Sequence, residues 1–364
     1  MEIHTVDPGF WAGKKVLVTG HTGFKGSWLA LWLQTLGSEV VGFSRGLPTE
    51  PALFELGRVS DGMASVVGDI RDFDALSATM REHRPEIVFH LAALPLVRQA
   101  FRQPLAAYET NVMGTVHLLE AVRQSEGVRA VVNVTTDKCY ENREWEWAYR
   151  EYEPKGGFDP YSSSKACSEL VTDAYRKSYF TDADGPLLAS ARAGNVIGGG
   201  DWAEDRLVPD MMRAAMAGGT VPIRNPAAIR PWQHVLNPLS GYLLLAQSLW
   251  DTPASADGWN FGPEERDAQP VSWVADRLIE LWGGGLRWEA DGQPQPHEAH
   301  YLKLDSSRAR LRLGWVPRWD LEIGLQRTIE WFRAFSEGDD MQGVTLGQIR
   351  EHHAAATAGA SAGG

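Results

Sequence analysis

The chain is poor in cysteine, in long apolar runs and in basic charge, and each shortage excludes a class of protein. Two cysteines among 364 residues are too few for a disulfide framework and suit a reducing compartment. With 35 basic and 47 acidic residues the net charge is −12, so no nucleic-acid or membrane surface is expected. No apolar run reaches membrane-spanning length, and the stretch from Met1 to Gly13 lacks the apolar core of a signal peptide. These absences predict a cytoplasmic protein.

Strand and helix patterns alternate over the first half of the chain. Near-continuous apolar strands that alternate with amphipathic helices indicate a parallel sheet covered on both faces. We therefore predict an α/β fold, a doubly wound Rossmann-type parallel sheet with a smaller substrate-binding lobe. The predicted strands are 14–19, 39–44, 64–69, 87–93, 130–135 and 187–192. The predicted units are residues 12–193 with about 234–256 for the Rossmann domain, about 194–233 with 257–350 for the lobe, and 351–364 for a disordered tail.

A glycine-rich turn separates the first predicted strand from the first predicted helix. Its spacing is Gly20-x-x-Gly23-x-x-Gly26. Such a turn directs backbone N–H groups and a helix dipole at a pyrophosphate, which predicts a dinucleotide site. The second strand ends at Ser44 and Arg45 instead of an acidic residue that would hold a ribose, so NAD and NADP both stay open. The candidate cofactor-binding residues are Gly20, Thr22, Gly23, Phe24, Gly26, Ser44, Arg45, Asp69, Ile70, Leu91, Ala92, Ala93, Asn111, Thr135, Tyr161 and Lys165.

Tyr161 and Lys165 form a Tyr-x-x-x-Lys pair at the start of a predicted helix. Side chains four residues apart lie on one helix face. A nearby cation favours an ionised phenol, so we expect Lys165 to lower the pKa of Tyr161. A tyrosinate is a general base for a hydroxyl proton, which hydride removal from an alcohol requires. By itself the spacing also fits two unrelated surface residues.

Polar residues follow the fifth and sixth predicted strands. Thr136, Asp137 and Lys138 come after the fifth strand, and Asn195 comes after the sixth. Ligands of open α/β sheets bind beyond the carboxyl ends of the strands, so we expect these residues to face Tyr161 in one pocket. An exposed ion pair at a strand end is the alternative interpretation of Asp137 and Lys138.

Taken together, these motifs resemble those of the extended short-chain dehydrogenase/reductase family. Within it, Thr136-Asp137-Lys138 is similar to the Thr-Asp-Glu triplet of nucleotide-sugar 4,6-dehydratases, with lysine in place of glutamate. The lysine and the segments 20–28, 140–142 and 230–235 resemble the branch that acts on CDP-glucose. The resemblance covers nearly the whole chain apart from its two tails.

The resemblance implies an NAD-dependent dehydration of CDP-glucose to a 4-keto-6-deoxy sugar, a step of deoxysugar biosynthesis. It implies that Tyr161, sharing a hydrogen bond with Thr136, takes the proton of the sugar 4-hydroxyl. Lys138 would remove the C5 proton as a neutral amine, and protonated Asp137 would donate to the departing 6-hydroxyl. Lys165 completes the implied catalytic set.

The resemblance also implies binding partners. Helices predicted over 104–124 and 161–180 carry apolar residues on more than one face, which favours the homodimer of this family. Arginines are the expected ligands of the pyrophosphate of a nucleotide sugar. The implied substrate-binding residues are Asn195, Arg206, Arg230 and His300.

Other functions stay open in the sequence. A 4-epimerase, or a dehydratase of another nucleotide sugar, would use the same tyrosine and lysine, although an epimerase would not need Asp137 and Lys138. A non-catalytic dinucleotide-binding sensor would need none of the catalytic residues. His297 and His300 have no third ligand nearby in the sequence, so no metal site is predicted.

Overall fold

A seven-stranded parallel sheet lies at the centre of the fold, as seen in a computed structural model that describes residues 4–182, 184–293 and 299–361. Six shorter strands lie outside this sheet in the described ranges. The strands are β1 (Lys15–Thr19), β2 (Glu39–Ser44), β3 (Met63–Val67), β4 (Ile87–His90), β5 (Ala130–Val134), β6 (Leu187–Arg192), β7 (Val196–Ile197), β8 (Thr220–Ile223), β9 (Ile229–Pro231), β10 (Gln233–His234), β11 (Gly258–Asn260), β12 (Ala268–Pro270) and β13 (Arg287–Ala290).

Helices cover both faces of the sheet. None of the helices in the described ranges has the length and apolarity needed to cross a membrane. A π-helical turn at Glu109–Met113 joins α6 to α7. The helices are α1 (Pro8–Trp11), α2 (Phe24–Thr35), α3 (Leu53–Leu56), α4 (Phe73–His83), α5 (Val97–Arg102), α6 (Pro104–Tyr108), α7 (Gly114–Arg123), α8 (Pro160–Ser178), α9 (Leu207–Ala217), α10 (Leu236–Asp251), α11 (Val271–Trp282), α12 (Ser307–Leu313), α13 (Leu321–Glu337) and α14 (Met341–Ser361).

The strand order confirms the predicted Rossmann-type sheet. It is β11–β6–β5–β4–β1–β2–β3, and all neighbouring strands are parallel. The order reverses between β1 and β4, where doubly wound sheets bind ligands. In β1, Val16 and Val18 belong to the core on the α2 and α10 side, while Leu17 belongs to the core on the α4 and α7 side. Both faces are apolar, which explains the near-continuous hydrophobic strands.

The seventh strand changes one predicted boundary. Residues Gly258–Asn260, assigned above to the smaller lobe, form β11 and pair with β6 from Ser190 to Arg192. A strand of only three residues has too little sequence pattern to be predicted, and it is identified by its pairing with β6. Three two-stranded ladders, β7 with β10, β8 with β13 and β9 with β12, lie outside the central sheet in the described ranges.

The C-terminal segment corrects another expectation. Helix α14 continues to Ser361, whereas disorder was predicted from residue 351; residues 362–364 lie outside the described ranges. The helix is held by His352, which is buried and packs edge-on against Trp32 and Trp319 at ring-centroid distances of 5.6 and 5.1 Å. The low-complexity composition of the tail hid this contact, while its alanines favour a helix that has already begun.

Two buried histidines join this C-terminal region to the sheet. His352 Nε2 lies 3.1 Å from Oδ1 of Asn237, and His234 is fully buried near Trp319. Burial lowers the pKa of His234 to about 3. Burial, followed by the charge of His234, lowers the pKa of His352 well below its usual value. The folded chain therefore holds both rings neutral at pH values where the unfolded chain would protonate them.

We expect the free energy of unfolding to fall as the pH drops from 6.5 toward 4, because the unfolded chain takes up protons that the folded chain excludes. His352→Phe keeps a ring in place and removes one such group. It should reduce the slope of unfolding free energy against pH by ~1.4 kcal/mol per pH unit below pH ~6. Denaturant unfolding at several pH values measures this slope. His4→Phe, at an exposed position, is the control; equal slopes for wild type and His352→Phe would contradict the prediction.

Candidate active site

A cavity of about 1270 Å³ opens beyond the carboxyl ends of β5 and β6. Its walls come from the turn after β5, the start of α8, the loop after β6 and the start of α9. A large concave site with convergent polar groups is the usual form of a ligand pocket. The predicted residues that line it are Thr135, Thr136, Asp137, Lys138, Tyr161, Asn195, Arg206 and Arg230.

The Thr136-Asp137-Lys138 triplet forms a short turn directly after β5. Thr136 Oγ1 donates to Asp137 Oδ1 at 3.0 Å and accepts from the backbone N–H of Lys138 at 3.3 Å. The backbone N–H of Asp137 donates to Ala193 O at 3.2 Å, at the end of β6. These bonds fix the triplet against two neighbouring strands and direct it into the cavity.

Asp137 has the environment of a proton donor. It is buried, and burial raises the pKa of its carboxyl group against the lowering effects of Lys138, Thr136, Arg230 and Lys25. Its second oxygen, Oδ2, is buried and has no hydrogen-bond partner among the described residues. A raised pKa is what a carboxylic acid needs to donate a proton near neutral pH.

Tyr161 corrects the expectation about its pKa. Its helix, α8, begins at Pro160 and is capped by Asp159, which accepts from the N–H of Ser162 at 3.0 Å. Burial raises the pKa of Tyr161 to about 12, although a hydrogen bond with Thr136 lowers it. The predicted lowering by Lys165 is therefore wrong in this structure: the pKa is raised, Lys165 Nζ donates to Val134 O at 3.2 Å, and its charge is not among the main influences on the pKa of the phenol.

A buried ion pair between Glu169 and Arg192 continues the helix face of α8 that carries Tyr161 and Lys165. Glu169, one helical turn beyond Lys165, accepts from Arg192 Nε at 2.9 Å and from Nη2 at 2.6 Å. It also accepts from Thr135 Oγ1 and, at 2.7 Å, from Ser190 Oγ. Burial raises the pKa of Glu169, but the charge and hydrogen bonds of Arg192 and the two hydroxyls outweigh it and hold the pKa at about 2. Lys165 thus keeps a carboxylate neighbour, although burial lowers its own pKa to about 8.

The glycine-rich turn has the geometry expected for a pyrophosphate. Gly20 has φ +75°, and a Cβ there would lie 2.8 Å from the backbone N of Ala92. A Cβ at Gly26 would lie 2.1 Å from Gly20 O, so the helix start packs directly on the turn. Gly23 caps α2 without a side-chain hydrogen bond. The open N–H groups of the first helical turn fit an anionic group.

The remaining cofactor candidates lie at the ends of β2, β3 and β4. Thr22 Oγ1 and Ser44 Oγ are 2.7 Å apart, while Arg45 is exposed. Asn111 accepts from Leu94 N at 2.8 Å and braces the segment after β4, which contains Leu91, Ala92 and Ala93. Asp69, followed by Ile70, is the second residue after the end of β3, and its carboxylate is held by Arg71 at 2.7 Å.

The predicted substrate residues are not equivalent. Arg206, at the start of α9, lines the cavity and pairs with Asp201 at 2.9 Å, and Arg230, on β9, lines it as a buried residue. His300 is exposed and absent from the lining; its carbonyl accepts from Ile229 N at 3.0 Å, a backbone pairing that the histidine side chain cannot signal. His297 lies outside the described residues, and among those described no three potential ligands of His, Cys, Asp or Glu could hold a metal ion.

Sequence reasoning missed Lys25. It is the second residue of α2, and its side chain lines the cavity. A lysine close before the apolar run 28–33 could have indicated a functional position. It was overlooked because it lies between Phe24 and Gly26, inside the glycine motif. Asp201, the partner of Arg206, was also missed because its loop has no regular pattern.

Comparison with known proteins places the chain among nucleotide-sugar enzymes. The family model for GDP-mannose 4,6 dehydratase matches residues 17–256. The CDP-glucose 4,6-dehydratase of Salmonella typhimurium is 55% identical over 357 residues, which is 97% of this chain and 99% of that protein.

Solved structures share the fold. DesIV, a dTDP-glucose 4,6-dehydratase from Streptomyces venezuelae with NAD bound, is 25% identical with a TM-score of 0.76, covering 90% of this chain and 99% of that one. The UDP-glucose 4-epimerase of Thermus thermophilus in complex with NAD is 26% identical with a TM-score of 0.74, covering 87% and 98%.

Proposed function

The chain belongs to the GDP-mannose 4,6 dehydratase family, and we propose that it dehydrates CDP-glucose to CDP-4-keto-6-deoxy-glucose with NAD as cofactor. The observation that carries the proposal is one cavity lined by Thr136, Asp137, Lys138 and Tyr161. A 4-epimerase needs Tyr161 but has no elimination for Asp137 and Lys138 to catalyse. A dinucleotide sensor needs none of these three residues. The choice of CDP follows the identity to the Salmonella enzyme.

The chain's own residues supply the proton transfers. Tyr161, hydrogen-bonded to Thr136, takes the proton of the 4-hydroxyl. The resulting ketone acidifies the C5 proton, which Lys138 removes, while Asp137 protonates the 6-oxygen as it leaves. NAD supplies the hydride acceptor at C4 and the donor at C6, and its oxidised form adds a positive charge that favours the tyrosinate. Glycines 20, 23 and 26 would hold its pyrophosphate.

Local cations offset the acidic balance of the whole chain. Arg206 and Arg230 lie on two walls of the cavity and would bind the pyrophosphate of the nucleotide sugar with Asn195. Guanidinium groups suit this task because they bind phosphate oxygens in pairs. We expect the product to enter deoxysugar biosynthesis in the cytoplasm, where the free Cys139 and Cys167 would stay reduced.

Incubation with NAD and each of CDP-, dTDP-, UDP- and GDP-glucose tests the proposal. We expect a 4-keto product that has lost one water, with kcat/KM highest for CDP-glucose by at least about tenfold. Mass spectrometry of the nucleotide sugar measures the loss. Preference for another base would overturn the substrate, a 4-epimer without loss of water would indicate an epimerase, and no reaction with any sugar would favour a sensor.

Lys138→Ala should leave oxidation at C4 intact and block elimination, because only the base at C5 is removed. We expect a 4-keto sugar that retains its 6-hydroxyl, with turnover to the deoxy product reduced by about two to four orders of magnitude. Exchange of the C5 proton with solvent deuterium should be lost as well. NMR of the sugar in deuterium oxide reports both effects.

Tyr161→Phe is the matched control for this experiment. It keeps the ring and removes the phenol that accepts the 4-hydroxyl proton, so both oxidation and C5 exchange should stop. C5 exchange at the wild-type rate in Lys138→Ala would show that another residue is the base.

We also propose that the protein is a homodimer through α6, α7 and α8. These helices and the π-helical turn between α6 and α7 pack together and expose apolar side chains: Leu105 on α6 is 78% exposed, Leu170 on α8 59% and Met113 in the turn 46%. Such a concentration of exposed apolar groups on adjacent helices supports an isologous interface.

Analytical ultracentrifugation at micromolar concentration should give twice the 40.2 kDa chain mass. Leu105→Glu combined with Leu170→Glu should shift the protein to monomer, because charges would be buried in the interface. Leu311→Glu, at a 74% exposed site on α12, should leave the dimer intact. A wild-type mass of one chain would contradict the proposal.

A further inference from the structure

Lys25 stands where the cofactor turn meets the catalytic triplet. It is the second residue of α2, immediately after the Gly20–Gly23 turn, and its side chain lines the cavity that contains Asp137 and Tyr161. The close packing of Gly26 on Gly20 O fixes the start of the helix, and therefore the origin of the Lys25 side chain. Lys25 and Lys138 therefore reach the cavity from different elements, Lys25 from α2 and Lys138 from the turn after β5.

Among the described residues, neither Lys25 Nζ nor Asp137 has an ion-pair partner. Asp137 Oδ1 is occupied by Thr136, whereas Oδ2 is buried and makes no hydrogen bond within the described ranges. The two groups nevertheless interact electrostatically: the charge of Asp137 raises the pKa of Lys25, and the charge of Lys25 lowers the pKa of Asp137. Asp137 and Lys25 therefore line one cavity without pairing with each other, so a polar substrate group bound in that cavity can approach both side chains.

We propose that Lys25 is a further catalytic residue for the elimination, in which its ammonium and Asp137 together receive the oxygen that leaves C6. This inference rests on the proposed function. Lys25 would thus be a second cation beside the Thr136-Asp137-Lys138 triplet. It follows the glycine-rich turn and would act when the C6–O bond breaks.

The electron pair of the C5–H bond forms the C5–C6 double bond as Lys138 takes the proton, and the C6–O bond breaks. The leaving oxygen takes the proton of Asp137 and departs as water, so Asp137 becomes a buried carboxylate. A buried carboxylate without a cation is costly, and the ammonium of Lys25 offsets that cost. Proton transfer from Lys25 then restores Asp137, and Lys25 regains a proton from solvent, to which Tyr161 returns the proton that it took from the 4-hydroxyl.

The charges around Lys25 suit this exchange. Burial lowers the pKa of Lys25 to about 8; Arg206 and Lys165 add to the lowering, and Asp137 and Asp201 oppose it. The amine therefore changes protonation close to neutral pH, which permits a proton to pass between it and Asp137. An ordinary surface lysine would hold its proton too firmly for this role.

Lys25→Met tests the role because methionine fills similar space without charge. With CDP-glucose and NAD in deuterium oxide, we expect C4 oxidation and C5 exchange to persist while formation of the 6-deoxy product falls about ten- to hundredfold. The ratio of C5 exchange to elimination should rise accordingly. Lys25→Arg keeps the positive charge but holds its protons too firmly to transfer one to Asp137, so it should recover part of the rate and lose the decline of turnover above pH ~8. Lys177→Met, on an exposed lysine of α8, is the matched control.

Three results would overturn the proposal. An unchanged ratio of exchange to elimination in Lys25→Met would remove Lys25 from the step. A weakened NAD affinity with that ratio unchanged would make Lys25 a phosphate ligand of the cofactor instead. An equal loss of rate in Lys25→Arg and Lys25→Met, with pH profiles alike, would indicate a role in shape alone. Failure of the proposed function is distinguishable, because wild-type protein would then form no 4-keto sugar.

Discussion

The buried pair of Glu169 and Arg192 is the interaction on which the active-site geometry depends. Its carboxylate joins α8 to β6 through Arg192 and Ser190, and to the end of β5 through Thr135. Arg192 Nη1 also donates to Tyr140 Oη at 2.8 Å, just beyond the turn of Thr136, Asp137 and Lys138. Both carboxylate oxygens of Glu169 accept two hydrogen bonds each, so the buried charge is fully hydrogen-bonded. The ion pair therefore holds two strands and a helix in one arrangement. Removal of one partner alone would cost about 3–5 kcal/mol.

Low dielectric is the second constraint, and it acts in opposite directions on neighbouring groups. Burial raises the pKa of Asp137 and Tyr161 and lowers the pKa of Lys25 and Lys165. Acids that keep their protons and amines that lose them are what proton transfer near neutral pH requires. The cavity achieves this inside a chain of net charge −12, because burial is the largest cause of each of these four pKa shifts.

The fold was predictable because its sheet is buried on both faces. The strands at 39–44 and 187–192 coincide with the predicted ones, and the glycine turn has the close backbone packing that its spacing indicates. The tail at 351–361 and the strand at Gly258–Asn260 were not predicted. Each depends on a partner distant in sequence, namely Trp32 and Trp319 for the tail and β6 for the strand.

Sequence alone determined the class of sheet, the position of the glycine-rich turn and the identity of most of the groups that can carry protons, since these follow from local pattern and side-chain chemistry. Tertiary structure decided which of them share a cavity and in which charge state. Lys165 bonds to Val134 instead of lowering the pKa of Tyr161, His300 turns outward, and Lys25 enters the cavity beside Asp137. Desolvation and charge coupling depend on distances between remote segments, and no sequence spacing contains those distances.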